Sequence, residues 1–222
     1  MSMAGLLDDN IISDFEKSFR TNCLILIGEA YKWLNDRKIV SVDWSEETIS
    51  ANILTHIEES EKAVILNINI SDECRGYNQD ILNNKKSAKS APRIDLKLTT
   101  NWSDAKKRVT YFVEAKNLIE IDCIKQGRTS KLNANKIHKR YISTGIDHFV
   151  SEYYPANGCM LGYVLEGTPN GIVERLNVLL RNSSRGTEIL ERVDQDIPYI
   201  KDIYSSCHIN NYVVNHYFIS LV

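Results

Sequence analysis

The stretch RIDLKLTTNWSDAKKRVTYFVEAK, residues 93–116, organises the reading of this chain. Its two runs RIDLKL and RVTYFVEAK alternate in character and are joined by the polar TTNWSDAKK, which is the pattern of a β-hairpin. Strand side chains alternate between faces, so Arg93, Asp95 and Lys97 share one face, and Ile94, Leu96 and Leu98 the other. In the second strand Thr110, Phe112, Glu114 and Lys116 lie opposite Val109, Tyr111, Val113 and Ala115. A hairpin symmetric about Asp104 and Ala105 sets Leu96 against Val113, Asp95 against Glu114 and Ile94 against Ala115. A bulge would shift the pairing by one and undo it.

In that register two carboxylates stand roughly 5 Å apart at Cβ, which is destabilising unless something positive lies between them. A divalent cation resolves the conflict, and oxygen ligands suit magnesium or manganese. Lys116, diagonal to Asp95 on the same face, is placed to orient a water or to offset charge building on a phosphate. The plainer alternative is a cross-strand ion pair between Asp95 and Lys116 on a solvated face, with Glu114 exposed.

Outward from the hairpin, apolar residues at three-to-four spacing (Ile11, Phe15, Phe19, Cys23, Leu26, Ile27, Ala30, Leu34) predict a long helix over about 10–37. Asp43 and Glu46 form a near capping box for a second helix lined by Ile49, Ile53 and Ile57. AVILNINI, residues 63–70, reads as a strand, and the polar segment after it, ending at Pro92, as a long surface loop. After the hairpin come a basic helix over about 130–143, a buried strand CMLGYVL, and a helix GIVERLNVLLRN opening after Gly171. TEILERVDQ reads as a short helix and YVVNHYFISLV as a last strand. We expect one domain over 1–222, with an α/β core at about 43–165 in the order αβββαβ and an extension from 166 to 222.

A net charge of −2 conceals a division. Residues 81–140 carry 15 Lys and Arg against 5 Asp and Glu, and the remainder 12 against 24. Such segregation suits a polyanionic partner, although solvated charged faces also produce it. Five scattered cysteines without a C-x-x-C pair point to reduced structural thiols. The first residues lack a basic region followed by an apolar core, and the longest apolar run, CLILI, is far too short to span a bilayer, so we expect a cytoplasmic protein without a membrane segment.

Asp95 followed by Glu114-Ala115-Lys116 at the end of the next strand resembles the D…ExK signature of the PD-(D/E)XK nuclease superfamily, and the element order resembles its restriction-endonuclease-like fold. The literal Pro-Asp pair is absent, because Arg93 and Ile94 separate Pro92 from Asp95. The resemblance implies a mixed sheet flanked by helices. It implies Mg²⁺ or Mn²⁺ held by Asp95 and Glu114 with help from the Ala115 carbonyl, and a catalytic Lys116. It also implies an acid from the preceding helix, for which Glu47 is our first choice and Glu46 the rival. Lys136, Lys139 and Arg140 on the following helix become candidate phosphate contacts.

The expected activity is phosphodiester hydrolysis, with DNA favoured, in a prokaryotic restriction or antiphage defence setting. The alternative is an inactive nucleic-acid-binding or assembly subunit of the same fold. No DNA-reading module or nucleotide-binding loop is evident, so we expect low intrinsic sequence specificity, a homodimer, or a separate targeting or ATPase/helicase subunit. The histidines lack zinc spacing; His138 is a candidate for substrate contact, and His216 reads as a hydrogen-bonded core residue. Tyr141, the TGI segment at 144–146 and the aromatics Phe149, Tyr153 and Tyr154 read as packing and helix-ending features.

Overall fold

The computed structural model describes residues 9–75, 83–85, 87, 89, 91, 93–102, 108–125 and 131–221. The hairpin centre at Asp104 and Ala105, Pro92, Lys86 and much of the expected long loop lie outside the described residues.

Helix α1 (Asp9–Arg37) and helix α2 (Glu46–Glu58) pack against each other and cover one sheet face. The apolar stripe of α1 is buried from Phe19 onward, whereas Ile11 and Phe15 are exposed, Phe15 stacking on Trp102. Helix α2 starts two residues later than the Asp43 box suggested, because Ser45 is the residue whose hydroxyl accepts from Thr48 N. AVILNINI divides. Its first residues belong to helix α3 (Glu61–Ile65), nucleated by the Ser60 cap, and Asn67 at positive φ turns the chain into strand β1 (Ile68–Arg75).

Strands β2 (Arg93–Thr100) and β3 (Thr110–Ile119) follow, then the short pair β4 (Cys123–Ile124) and β5 (Lys131–Leu132). Helix α4 (Ala134–Tyr141) is capped by Asn133 and does not end at TGI: it runs through a π-turn (Ile142–Ile146) into α5 (Asp147–Val150). Gly145 belongs there because a Cβ would meet Met160 Cε at 2.4 Å. Strand β6 (Gly158–Glu166), helix α6 (Pro169–Asn182), strands β7 (Glu191–Arg192) and β8 (Asp202–Cys207), and β9 (Val213–Ser220) complete the chain. TEILERVDQ is therefore turn and edge strand rather than helix, with β7 held by pairing to β8, which the sequence did not announce.

The seven strands form one mixed sheet in the order β1-β2-β3-β6-β9-β8-β7. Parallel pairing joins β3 to β6 and β6 to β9, and antiparallel pairing joins the rest. Strand β6 is central and buried on both faces, which explains its unbroken apolar run. One core, including Leu26, Ile53, Val113, Leu161 and Tyr217, lies beneath α1 and α2; the other, including Tyr141, Ile146, Met160, Leu176 and Phe218, lies beneath α4 and α6. This is an α/β architecture with helices on both faces of the sheet. Among the described residues no helix is long and apolar enough to cross a membrane.

The second core encloses a polar chain. Glu188 Oε2, His208, Ser206, His216 and Tyr141 are linked in series at 2.5, 2.7, 2.8 and 2.9 Å. Burial raises the Glu188 pKa, but hydrogen bonds from Arg185 and His208 outweigh it and hold the carboxyl below its usual range. An ionised Glu188 only accepts, so His208 Nδ1 donates to it, while His208 Nε2 is bonded to Ser206 Oγ. Ser206 Oγ is also bonded to His216 Nε2, and His216 Nδ1 to the Tyr141 hydroxyl. Burial and nearby His208 push the His216 pKa down to about 3, so it stays neutral, as its reading as a core histidine anticipated.

Candidate functional site

The β2–β3 ladder holds the anticipated register, with Leu96 paired to Val113 and Leu98 to Tyr111. It then stops at Leu96 and Val113, short of the expected Asp95–Glu114 and Ile94–Ala115 pairs, while β1 and β2 stay paired out to Arg75 and Arg93. Beyond that split, β3 needs other acceptors for its backbone N–H groups. Ala115 N donates to Asp95 Oδ2 at 2.7 Å, and Asn117 N donates to Glu46 Oε2 at 3.1 Å. Two carboxylates thus take over where the neighbouring strand leaves off.

Lys116 rises between them. Its Nζ donates to Glu114 Oε1, to the Ala115 carbonyl at 2.8 Å and to Glu46 Oε1 at 3.4 Å, and lies 4.0 Å from Asp95 Oδ2. Glu114 and Lys116 are only 3% and 6% exposed, which discards the solvated-face alternative. Glu114 Oε2 is buried without a hydrogen bond of ordinary geometry, although the Tyr154 hydroxyl stands near enough to the carboxyl to pull its pKa down. Burial drives the Glu114 pKa up to about 8 against the opposing pull of Lys116, with Asp95 adding to the rise. Burial likewise raises Asp95 to about 6, opposed by Lys116 and the Ala115 N–H. For Lys116 burial acts downward, but Glu114, Glu46 and Asp95 outweigh it and the pKa is raised, so the ammonium stays charged.

The structure brings Asp95, Glu114, Ala115 and Lys116 together and sorts the two helix acids. Glu46 touches Lys116 directly. Glu47 lines the same cleft, but its carboxyl is held below the usual range first by its own backbone N–H and then by Ser45, so it serves the start of α2. Neighbouring glutamates at a helix start differ only in angular position, which sequence spacing does not resolve. Two adjoining clefts of about 260 and 270 Å³ share Glu46, Glu47, Lys116 and Arg140. Asp72 and Arg93 also line the first cleft, and Asn117 the second.

Of the three basic candidates on α4, Arg140 reaches these clefts; Lys136 and Lys139 are exposed and line neither. His138 is buried, its Nε2 bonded to the Ile119 carbonyl at 2.8 Å, and it lines a separate cavity beside Arg175. Tyr154, read from sequence as packing alone, is buried close enough to Glu114 that the carboxylate adds to the rise of its hydroxyl pKa, behind burial itself.

Among the described residues, no three His, Cys, Asp or Glu side chains form a preformed metal-ligand set. An ammonium stands among the acids. The donor chemistry nevertheless fits a hard divalent cation, since Asp95, Glu114 and the Ala115 carbonyl offer oxygens and one Glu114 oxygen lacks a hydrogen bond of ordinary geometry. Compared with known proteins, the chain matches no family model, no curated protein and no solved structure.

Proposed function

We propose that this chain is a metal-dependent nuclease with a restriction-endonuclease-like core, acting on DNA. The observation that carries the reading is the convergence of Asp95, Glu114 and Glu46 on Lys116 at the β2–β3 split, with a buried carboxylate oxygen left without a well-formed hydrogen bond. An isolated structural ion pair has no need of three acids around one base. Asp95, Glu114 and the Ala115 carbonyl would hold Mg²⁺ or Mn²⁺, with Glu46 ahead of Glu47 as the supporting acid. When bound, the cation supplies Lewis acidity at the scissile phosphate and a lower pKa for an attacking water. Lys116 orients that water or faces the charge developing on the phosphate, and Arg140 at the rim binds a backbone phosphate. A defence setting, a homodimer and a separate targeting or ATPase/helicase subunit belong to the same reading.

A second reading is favoured by one observation: Asp95 and Glu46 each accept a β3 backbone N–H, which gives these acids a structural task in a chain without activity. Such a chain would bind nucleic acid or assemble with partners. Incubating the protein with plasmid and linear DNA, with and without Mg²⁺ or Mn²⁺, separates the two. Cleavage that needs the cation and is lost in Lys116→Ala supports the nuclease; salt-sensitive binding without cleavage in any condition supports the second reading.

A further inference from the structure

We infer that Lys116 is the resident counter-ion of the acid cluster, and that a divalent cation enters only by displacing its ammonium. The inference rests on the nuclease reading and adds to it a control of metal loading within the chain.

An ammonium has three N–H donors. Here Glu114 Oε1, the Ala115 carbonyl and Glu46 Oε1 supply three acceptors, so Lys116 is saturated where it stands. Those oxygens, with Asp95 Oδ2 at 4.0 Å, are the ones a cation needs. The ammonium and a cation would compete for the same oxygens, and their mutual repulsion is poorly screened in a site this buried. Entry of one means exit of the other.

The exchange has both a motive and a path. The ammonium takes one Glu114 oxygen and leaves Oε2, in a side chain 3% exposed, without a hydrogen bond of ordinary geometry beside the Tyr154 hydroxyl. A hard cation readily takes both oxygens of one carboxylate. The lysine stem borders two adjoining clefts, where Glu47 and Arg140 stand at the common wall. Displaced into them, Nζ arrives where a substrate phosphate would lie, so loading the cation and delivering the lysine become one event.

Calorimetric titration of the full chain with Mn²⁺ tests this, using wild type, Lys116→Met, Lys116→Gln and Asp95→Asn. Both lysine variants should bind Mn²⁺ at least tenfold more tightly than wild type, and Asp95→Asn at least tenfold more weakly. Melting in EDTA and in Mn²⁺ gives a second readout: Lys116→Met should be the less stable protein in EDTA and gain the larger shift on adding Mn²⁺. A variant that folds only with Mn²⁺ also supports the exchange. Wild type and both lysine variants binding equally, while wild type cleaves DNA, would overturn the counter-ion inference and leave the nuclease reading standing. Absence of Mn²⁺ binding in every protein, with no cation-dependent cleavage, would overturn both.

Discussion

The chain from Glu188 to Tyr141 and the cluster around Lys116 both bury titratable groups against the same sheet, but they close their hydrogen bonds differently. In the first, every polar side-chain atom of the series has a partner, from the Tyr141 hydroxyl to the Glu188 carboxylate. In the second, three acids crowd one base and an oxygen is left without a well-formed hydrogen bond. A satisfied network specifies a core; an unsatisfied one is retained for something other than stability. The pair therefore sets a satisfied use of buried polarity beside one that, on the nuclease reading proposed above, is chemical.

The sharpest way to break the contrast is to swap the symptoms. Asp95→Asn should lower DNA cleavage on the order of a thousandfold while shifting the melting temperature little. Ser206→Ala should do the reverse. It strands His216 Nε2 and His208 Nε2 together, at about 1–3 kcal/mol each, and leaves activity per folded molecule intact. Urea unfolding beside a cleavage assay reads both. Tyr141→Phe, which strands only His216 Nδ1, should lose about half as much stability as Ser206→Ala.

Acidity sharpens the comparison, because the two networks respond with opposite sign. Glu114 and Asp95 are raised to about 8 and about 6, so their contribution is complete below the unfolded carboxyl range near ~4 and is lost as pH rises through the folded values. His216 is depressed to about 3, so its contribution is present above the unfolded value near ~6.5 and is lost as pH falls towards about 3. In EDTA, Glu114→Gln should flatten the stability profile between about pH 5 and 8 and leave the acid limb unchanged. The smallest effect concerns the exposed lysines. Lys136→Ala and Lys139→Ala should leave stability unchanged, and each should lower the salt slope of DNA binding by about one only if it meets a phosphate.

The hairpin was legible because alternation, a polar connector and two strands of matched length leave one register that keeps Leu96, Leu98, Tyr111 and Val113 on the core side. The main elements from α2 to β6 were legible from helical spacing, β-branched runs and turn residues, whereas α3, β4 and β5 were not. What stayed hidden depended on partners distant in sequence. Strand β7 is two residues that exist through pairing with β8, and Ala63 looked like strand until the Ser60 cap drew it into a helix. The continuation of α4 past Gly145 brings it against Met160, where a Cβ would not fit, and Met160 is distant in sequence. In the site, the convergence of Asp95, Glu114 and Lys116 was legible from strand parity. Glu46 was not separable from Glu47, and Tyr154 gave no sign beyond its aromatic ring, because its place beside Glu114 is made by the α5–β6 connection.

At Ala115 and Asn117 the β3 amides are held by carboxylates instead of by a neighbouring strand. Their deuterium uptake is therefore governed by two side chains, while Tyr111, inside the ladder, reports on the sheet itself. Timing those three amides against one another would show when Asp95 and Glu46 let go, from the backbone alone and with no nucleic acid in the tube.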